Sequence, residues 1–117
     1  SLPAGDVFGF CVNYNNKKII TFGSLWHEYE DILSNYHNCD LFIAPLAGNS
    51  KKHIAQKAGK IIEVLKPKKA IPVHWDNFYP PISRTEDLKP FFNYMKNHHP
   101  DFNIIMPKID EEIQIEI

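Results

Sequence analysis

The stretch Lys69 to Ser83, reading KAIPVHWDNFYPPIS, holds the residues best placed to do chemistry. Ala70 to Val73 reads as a short apolar strand, and His74, Trp75 and Asp76 follow it directly. In open α/β sheets ligands gather beyond the carboxyl ends of the strands. A neutral imidazole delivered there suits a metal ion such as zinc, so His74 is a candidate metal ligand. The competing reading is a buried or capping histidine. Asp76 can act as a general base, or accept the second N–H of a ligating imidazole and fix its orientation. An Asp-Asn pair ahead of an aromatic residue and two prolines also suits a loop held by side-chain-to-backbone hydrogen bonds. Trp75 is a candidate lining for a substrate pocket, or part of the core.

Five other histidines compete for attention. His27 stands three residues past Ser24, near another expected strand end, and is a candidate substrate contact. His37 beside Asn38 fits a surface turn, and His53 falls in an expected first helical turn. His98 and His99 are adjacent near a helix end, project differently, and suit a solvated helix terminus whose dipole favours positive charge. The sequence has no glycine-rich phosphate loop, no GxSxG and no HExxH. A hydrolytic zinc takes about three protein ligands, so one histidine and a nearby aspartate cannot hold it alone.

The elements that must position these groups fit in one domain, because 117 residues can build a single core and no second. Thirteen basic against fourteen acidic residues leave a near-neutral chain, with no electrostatic case for nucleic acid or an anionic membrane. Small molecules and proteins remain as partners. Cys11 and Cys39 are neither a disulfide framework nor a zinc knuckle, which favours a reducing, cytoplasmic setting. No apolar run nears the roughly eighteen residues of a membrane span, and the start lacks a signal pattern. It also lacks an initiator methionine and leads at once into strand-like sequence, so a piece of a longer protein is expected.

Val7 to Tyr14 and Lys18 to Phe22 read as a hairpin about a polar Asn15-Asn16-Lys17 turn. Ser24 is a plausible cap for a helix with Trp26, Tyr29, Ile32, Leu33 and Tyr36 at helical spacing. A compact apolar strand over Asp40 to Pro45 precedes a helix capped by Ser50, which carries Ile54, Ala55, Ala58, Ile61, Ile62 and Leu65 and stops at Lys66-Pro67. After the strand ending at His74, Ser83 and Glu86 have capping-box spacing, and Leu88, Phe91, Phe92 and Met95 mark a third helix whose first turn Pro90 shortens or kinks. Phe102 to Met106 and Glu112 to Ile117 read as closing strands. The order strand, helix, strand, helix, strand from Lys18 to His74 implies right-handed parallel crossovers. Gly23-Ser24, Leu46-Ala47-Gly48 and His74-Trp75 then share one edge of the sheet.

The run strand–Gly-Ser–helix, strand–loop–helix, strand–Pro-Val-His-Trp-Asp-Asn-Phe resembles the carboxy-terminal half of a metallo-β-lactamase-fold hydrolase over nearly the whole chain. It is most similar to the branch of ascorbate-6-phosphate lactonases and the phospholipase D that acts on N-acyl phosphatidylethanolamine. The resemblance implies an α/β half of an αββα sandwich, over residues 1–117, with one mixed sheet and helices on one face. It makes His74 the last metal ligand, for zinc or another divalent metal such as manganese, and leaves Ser24, His27, Trp75 and Asp76 bordering the site. It implies that in the parent a metal-bound hydroxide attacks an ester, lactone or phosphoester of a small molecule. The family's HxHxDH motif belongs to the other half and occurs nowhere in this sequence, so the chain alone should be inactive and need hold no metal. The family's strand-end Gly-Asp, whose aspartate bridges two metals, is matched here by Gly23-Ser24. That departure admits a second reading, a non-catalytic binding or assembly module on the same scaffold. A half-sandwich also implies a partner: the missing amino-terminal half, and self-association of the isolated chain through its uncovered sheet face.

Overall fold

A computed structural model of the chain describes residues 9–21, 33–46, 54–73, 87–108 and 110–117. Strand β1 (Phe10–Tyr14) turns into β2 (Lys17–Thr21). A short 3-10 turn at Ser34–Tyr36 precedes β3 (Leu41–Pro45), helix α1 (Ile54–Leu65), β4 (Lys69–Val73), helix α2 (Lys89–His98) and β5 (Asn103–Ile104). The strands form one sheet in the order β1-β2-β3-β4-β5, antiparallel between the first two and parallel thereafter. This is a mixed α/β sheet of the kind the element order implies.

The hairpin turn is tighter than expected, with only Asn15 and Asn16 between the strands, both at positive φ (49° and 62°). A two-residue type I′ turn requires that backbone twice in succession, and asparagine is among the few side chains that tolerate it. Helix α1 ends where the proline signal puts it. Lys66 turns left-handed (φ 46°) ahead of Pro67, and the orphaned Leu65 carbonyl accepts the Asn38 N–H at 2.7 Å. Helix α2 begins at Lys89, with Pro90 in the first turn, where its missing N–H costs nothing. Asp87 Oδ1 accepts the Lys89 N–H at 3.0 Å. The expected caps Ser50, Ser83 and Glu86 lie outside the described residues, as does the body of the helix expected after Ser24.

The main core lies on the face of the sheet that the helices cover. Ile20, Phe42, Ala44 and Ala70 from the strands meet Ala58, Ile61, Ile62 and Leu65 of α1, Leu88 just before α2, and Phe91 and Met95 within it. Ala70 is level with Phe42, and Phe42 with Ile20, so these side chains share a face and leave the intervening residues to the other. Successive right-handed crossovers in one direction along the sheet put both helices on the same side. On the opposite face Leu41, Pro45 and Ile71 are buried in the middle of the sheet, while Phe10, Val12 and Tyr14 of β1 are 62%, 48% and 70% exposed. Phe92, expected within the apolar face of α2, sits at its margin, exposed.

Two closing strands differ from expectation. The strand expected over Phe102 to Met106 shrinks to Asn103–Ile104. Ile105 N–H still reaches the Ala70 carbonyl (2.9 Å), but the next rung of a parallel ladder would need the N–H groups of Pro72 and Pro107, and neither exists. The same alternation makes Pro72 harmless inside a central strand. Its nitrogen points toward β5 beyond the point where β5 ends, and β4 meets β3 through Lys69 and Val73 instead. The strand expected over Glu112 to Ile117 is absent: these residues have no ladder partner among the described strands, and Ile113 and Ile117 are exposed. What holds the segment is the Lys69 ammonium, which donates to the Glu116 carbonyl.

Helices α1 and α2 meet at Gly59. A Cβ there would fall on the ring of Tyr94, whose hydroxyl donates to Glu63 Oε1 at 2.6 Å and whose ring stacks on His98 at 4.2 Å. Gly59→Ala should therefore destabilise the fold by about 1 kcal/mol, because the displaced ring loses its charged acceptor and this outweighs the helix-propensity gain of about 1 kcal/mol. In a Tyr94→Ala background the sign should reverse, and urea unfolding of the four proteins of this cycle measures it.

Candidate functional site

The carboxyl ends of β2, β3 and β4 lie along one edge, as parallel neighbours must. Thr21 is level with Ile43 and Ile43 with Ile71, while Pro45 is level with Val73. The Leu46 N–H donates to the Val73 carbonyl at 3.0 Å, so β3 and β4 leave the sheet together. Val73, one peptide bond before His74, is therefore at the carboxyl edge of β4, paired there with β3. Thr21, three residues before Ser24, ends β2 at the same edge.

The residues singled out in the sequence, Ser24, His27, His74, Trp75 and Asp76, all lie outside the described residues, and so does His53. The structure thus gives the edge they are attached to and not their mutual geometry. Among the described residues no three His, Cys, Asp or Glu side chains come together to hold a metal ion. The described part of this edge offers backbone carbonyls, the Thr21 hydroxyl and apolar side chains, which is not a zinc donor set.

The remaining histidines are where solvated helix ends place them. His37 is exposed, with Nδ1 2.7 Å from the Ser34 carbonyl. His98 Nδ1 lies 2.9 Å from the Tyr94 carbonyl, and His99 Nε2 lies 3.1 Å from Glu63 Oε1. Glu63 thus receives Tyr94 and His99 at once, and these hydrogen bonds, Tyr94's first, hold its carboxyl below the usual range. The same bond to Glu63, aided by burial, pushes the Tyr94 phenol up to about 12. Together they clamp α1 to α2. Nothing in the periodicity of either helix marks this pair, since Glu63 and Tyr94 are 31 residues apart.

Asp40 is the polar group that sequence reasoning passed over. It is buried, and its Oδ2 accepts the Lys18 backbone N–H at 2.8 Å while its Oδ1 meets the Lys68 ammonium at 3.1 Å and that of Lys17 at 3.9 Å. Its own N–H donates to the Lys18 carbonyl and its carbonyl accepts from Lys69, at 2.9 and 3.2 Å. Asp40 therefore joins β2, β3 and β4 at their amino ends, the edge opposite the candidate site. Its two flanking signals, the Lys17-Lys18 and Lys68-Lys69 pairs, were legible but not their convergence. Cys39 beside it is fully buried, and burial pushes its thiol up to about 11, which leaves it unreactive.

No family model matches the sequence, and no curated protein matches it. Among solved structures, a protein described as a Zn-dependent hydrolase of the metallo-β-lactamase superfamily, from Thermotoga maritima, matches with a TM-score of 0.57 at 18% identity. The match covers 73% of this chain and 43% of that one. The chain carries half of a metallo-β-lactamase fold. This half-fold spans less than half the length of the solved protein, and the likeness speaks to architecture alone. No described helix is long and apolar enough to cross a membrane.

The Lys18 N–H bond to Asp40, followed by its bond to Lys68, lowers the Asp40 pKa. A depressed folded-state pKa contributes stability that is complete above the unfolded value of about 3.9 and is lost as pH falls through the folded value. Replacing Asp40 by asparagine should lower the urea midpoint at pH 7. The difference from the unaltered protein should shrink as pH falls below about 4, and equal midpoints at pH 7 would show that the carboxylate charge does not matter.

Proposed function

We propose that the chain is the carboxy-terminal half of a metal-dependent hydrolase of the metallo-β-lactamase superfamily, acting in its full-length form on an ester, lactone or phosphoester. The observation that carries this reading is the parallel, level exit of β3 and β4, which ends at Val73 and hands on to His74. The fold likeness to a protein described as Zn-dependent supports it, as does the Pro-Val-His-Trp-Asp-Asn-Phe run. That run favours the branch of ascorbate-6-phosphate lactonases and of the phospholipase D acting on N-acyl phosphatidylethanolamine.

In this proposal His74 is one ligand of a zinc or manganese site whose other ligands belong to the missing amino-terminal half. Asp76 orients the imidazole or takes a proton from the attacking water, and Ser24, His27 and Trp75 border the substrate. When bound, a divalent metal lowers the pKa of a coordinated water and polarises the substrate oxygen. The exposed β1 margin of the sheet's other face, with Phe10, Val12 and Tyr14, is the surface against which the missing half would pack. Two free thiols, Cys11 and Cys39, support a cytoplasmic setting.

A second reading, a non-catalytic module on the same scaffold, is favoured by Ser24 standing where the family has a bridging aspartate. The experiment that separates them is metal content and esterase, lactonase and phosphodiesterase activity of the full-length protein, beside His74→Ala. Loss of a direct ligand should weaken metal binding by more than the roughly 10–100-fold seen for outer partners, and activity should fall with it. Unchanged metal loading in the variant would overturn the ligand assignment. A full-length protein that binds metal but hydrolyses none of these substrates would favour the binding module.

A further inference from the structure

The outer edge of β1 is the least protected feature of the described structure. Natural sheets guard such an edge with charge, proline, a bulge or a cover, because its free N–H and C=O groups are a template for another strand. Phe10-Cys11-Val12-Asn13-Tyr14 has no charge, no proline and no bulge against β2, and among the described residues nothing pairs with it on its far side. We infer that, in the 117-residue chain by itself, this edge pairs with the β1 edge of a second copy, antiparallel about Val12, to make one continuous sheet across two molecules.

The register follows from the hairpin. A two-residue turn closes on a pair that exchanges backbone hydrogen bonds, here Tyr14 and Lys17, so the alternation of an antiparallel ladder directs Tyr14, Val12 and Phe10 at β2. The N–H and C=O groups of Cys11 and Asn13 are left pointing outward. A two-fold axis through Val12 sets Cys11 of one copy opposite Asn13 of the other, twice, and these four donors and four acceptors satisfy one another. Val12 faces Val12 as the close, non-hydrogen-bonded pair, and Phe10 lies opposite Tyr14 on the same face, an aromatic cross-strand pair. The strand is complementary to itself, which is what an isologous dimer requires, and with no charge in it nothing repels.

This contact uses the hydrogen-bonding edge and not the apolar face, so it stands apart from the proposed hydrolase function and its metal. Five residues a side bury less than the ~800 Å² per partner of a standard interface, so the dimer should be a weak one. Sedimentation velocity over about 1–100 μM tests it. The unaltered chain should be dimeric at the upper end. Asn13→Pro removes an outward N–H while keeping the bonds to β2, and Val12→Lys sets like charges face to face; each should weaken dimerisation at least tenfold, with the far-ultraviolet dichroism unchanged. Should Asn13→Pro unfold, Val12→Lys alone carries the test. Ile19→Thr, one strand inward on the open face, should leave the dimer intact. A monomer at 100 μM, or a dimer that survives Val12→Lys and is lost in Ile19→Thr, overturns the inference. The latter result would assign association to the sheet face.

Discussion

The junction at Asp40 is the constraint on which the rest of the sheet depends. One buried carboxylate, at the start of a central strand, takes a backbone N–H from β2 and an ammonium from the residue preceding β4, while its own backbone bonds to both neighbours. Parallel strands lack the hairpins that fix register between antiparallel ones, so something at their ends must set it. Here the amino ends are pinned, and equal strand lengths then bring the carboxyl ends of β3 and β4 out level. The group that organises the candidate edge sits at the opposite one. Its value to function is indirect: it determines where Val73 finishes.

The second constraint is the absence of two N–H groups. Pro72 and Pro107 end the β4–β5 ladder after one further bond, from Ile105 to Ala70. The carboxyl half of β4 is therefore paired on the β3 side alone, and the chain leaves Val73 beside a neighbour strand that has already stopped. Proline within the PVHW run is thus part of the geometry as well as part of the motif.

Much of the architecture was legible because it is local. The Asn-Asn turn, the 3.6-residue spacing of α1, the Lys66-Pro67 stop and the Leu41 and Ala70 strands each arise from a few neighbouring residues, and each is in the structure. The strands after residue 102 were misread because alternation reports only that a segment could pair. Whether it does depends on a partner's N–H groups, and Pro72 is some thirty residues away from them. The Asp40 junction and the Glu63–Tyr94–His99 clamp were invisible for the same reason, since both join residues more than twenty apart. Of the candidate site, the edge was legible from strand order, and the side chains on it are known by type and position in the sequence.

The central claim is that the half-fold delivers His74 to a metal. The most direct measurement is the nuclear magnetic resonance spectrum of the full-length protein, labelled with ¹⁵N-histidine and loaded with ¹¹³Cd in place of its natural metal. A resolved one-bond coupling between cadmium and a ring nitrogen of His74, abolished in His74→Ala, is the result the account predicts. Cadmium that couples to other histidines and leaves the His74 ring uncoupled would contradict it.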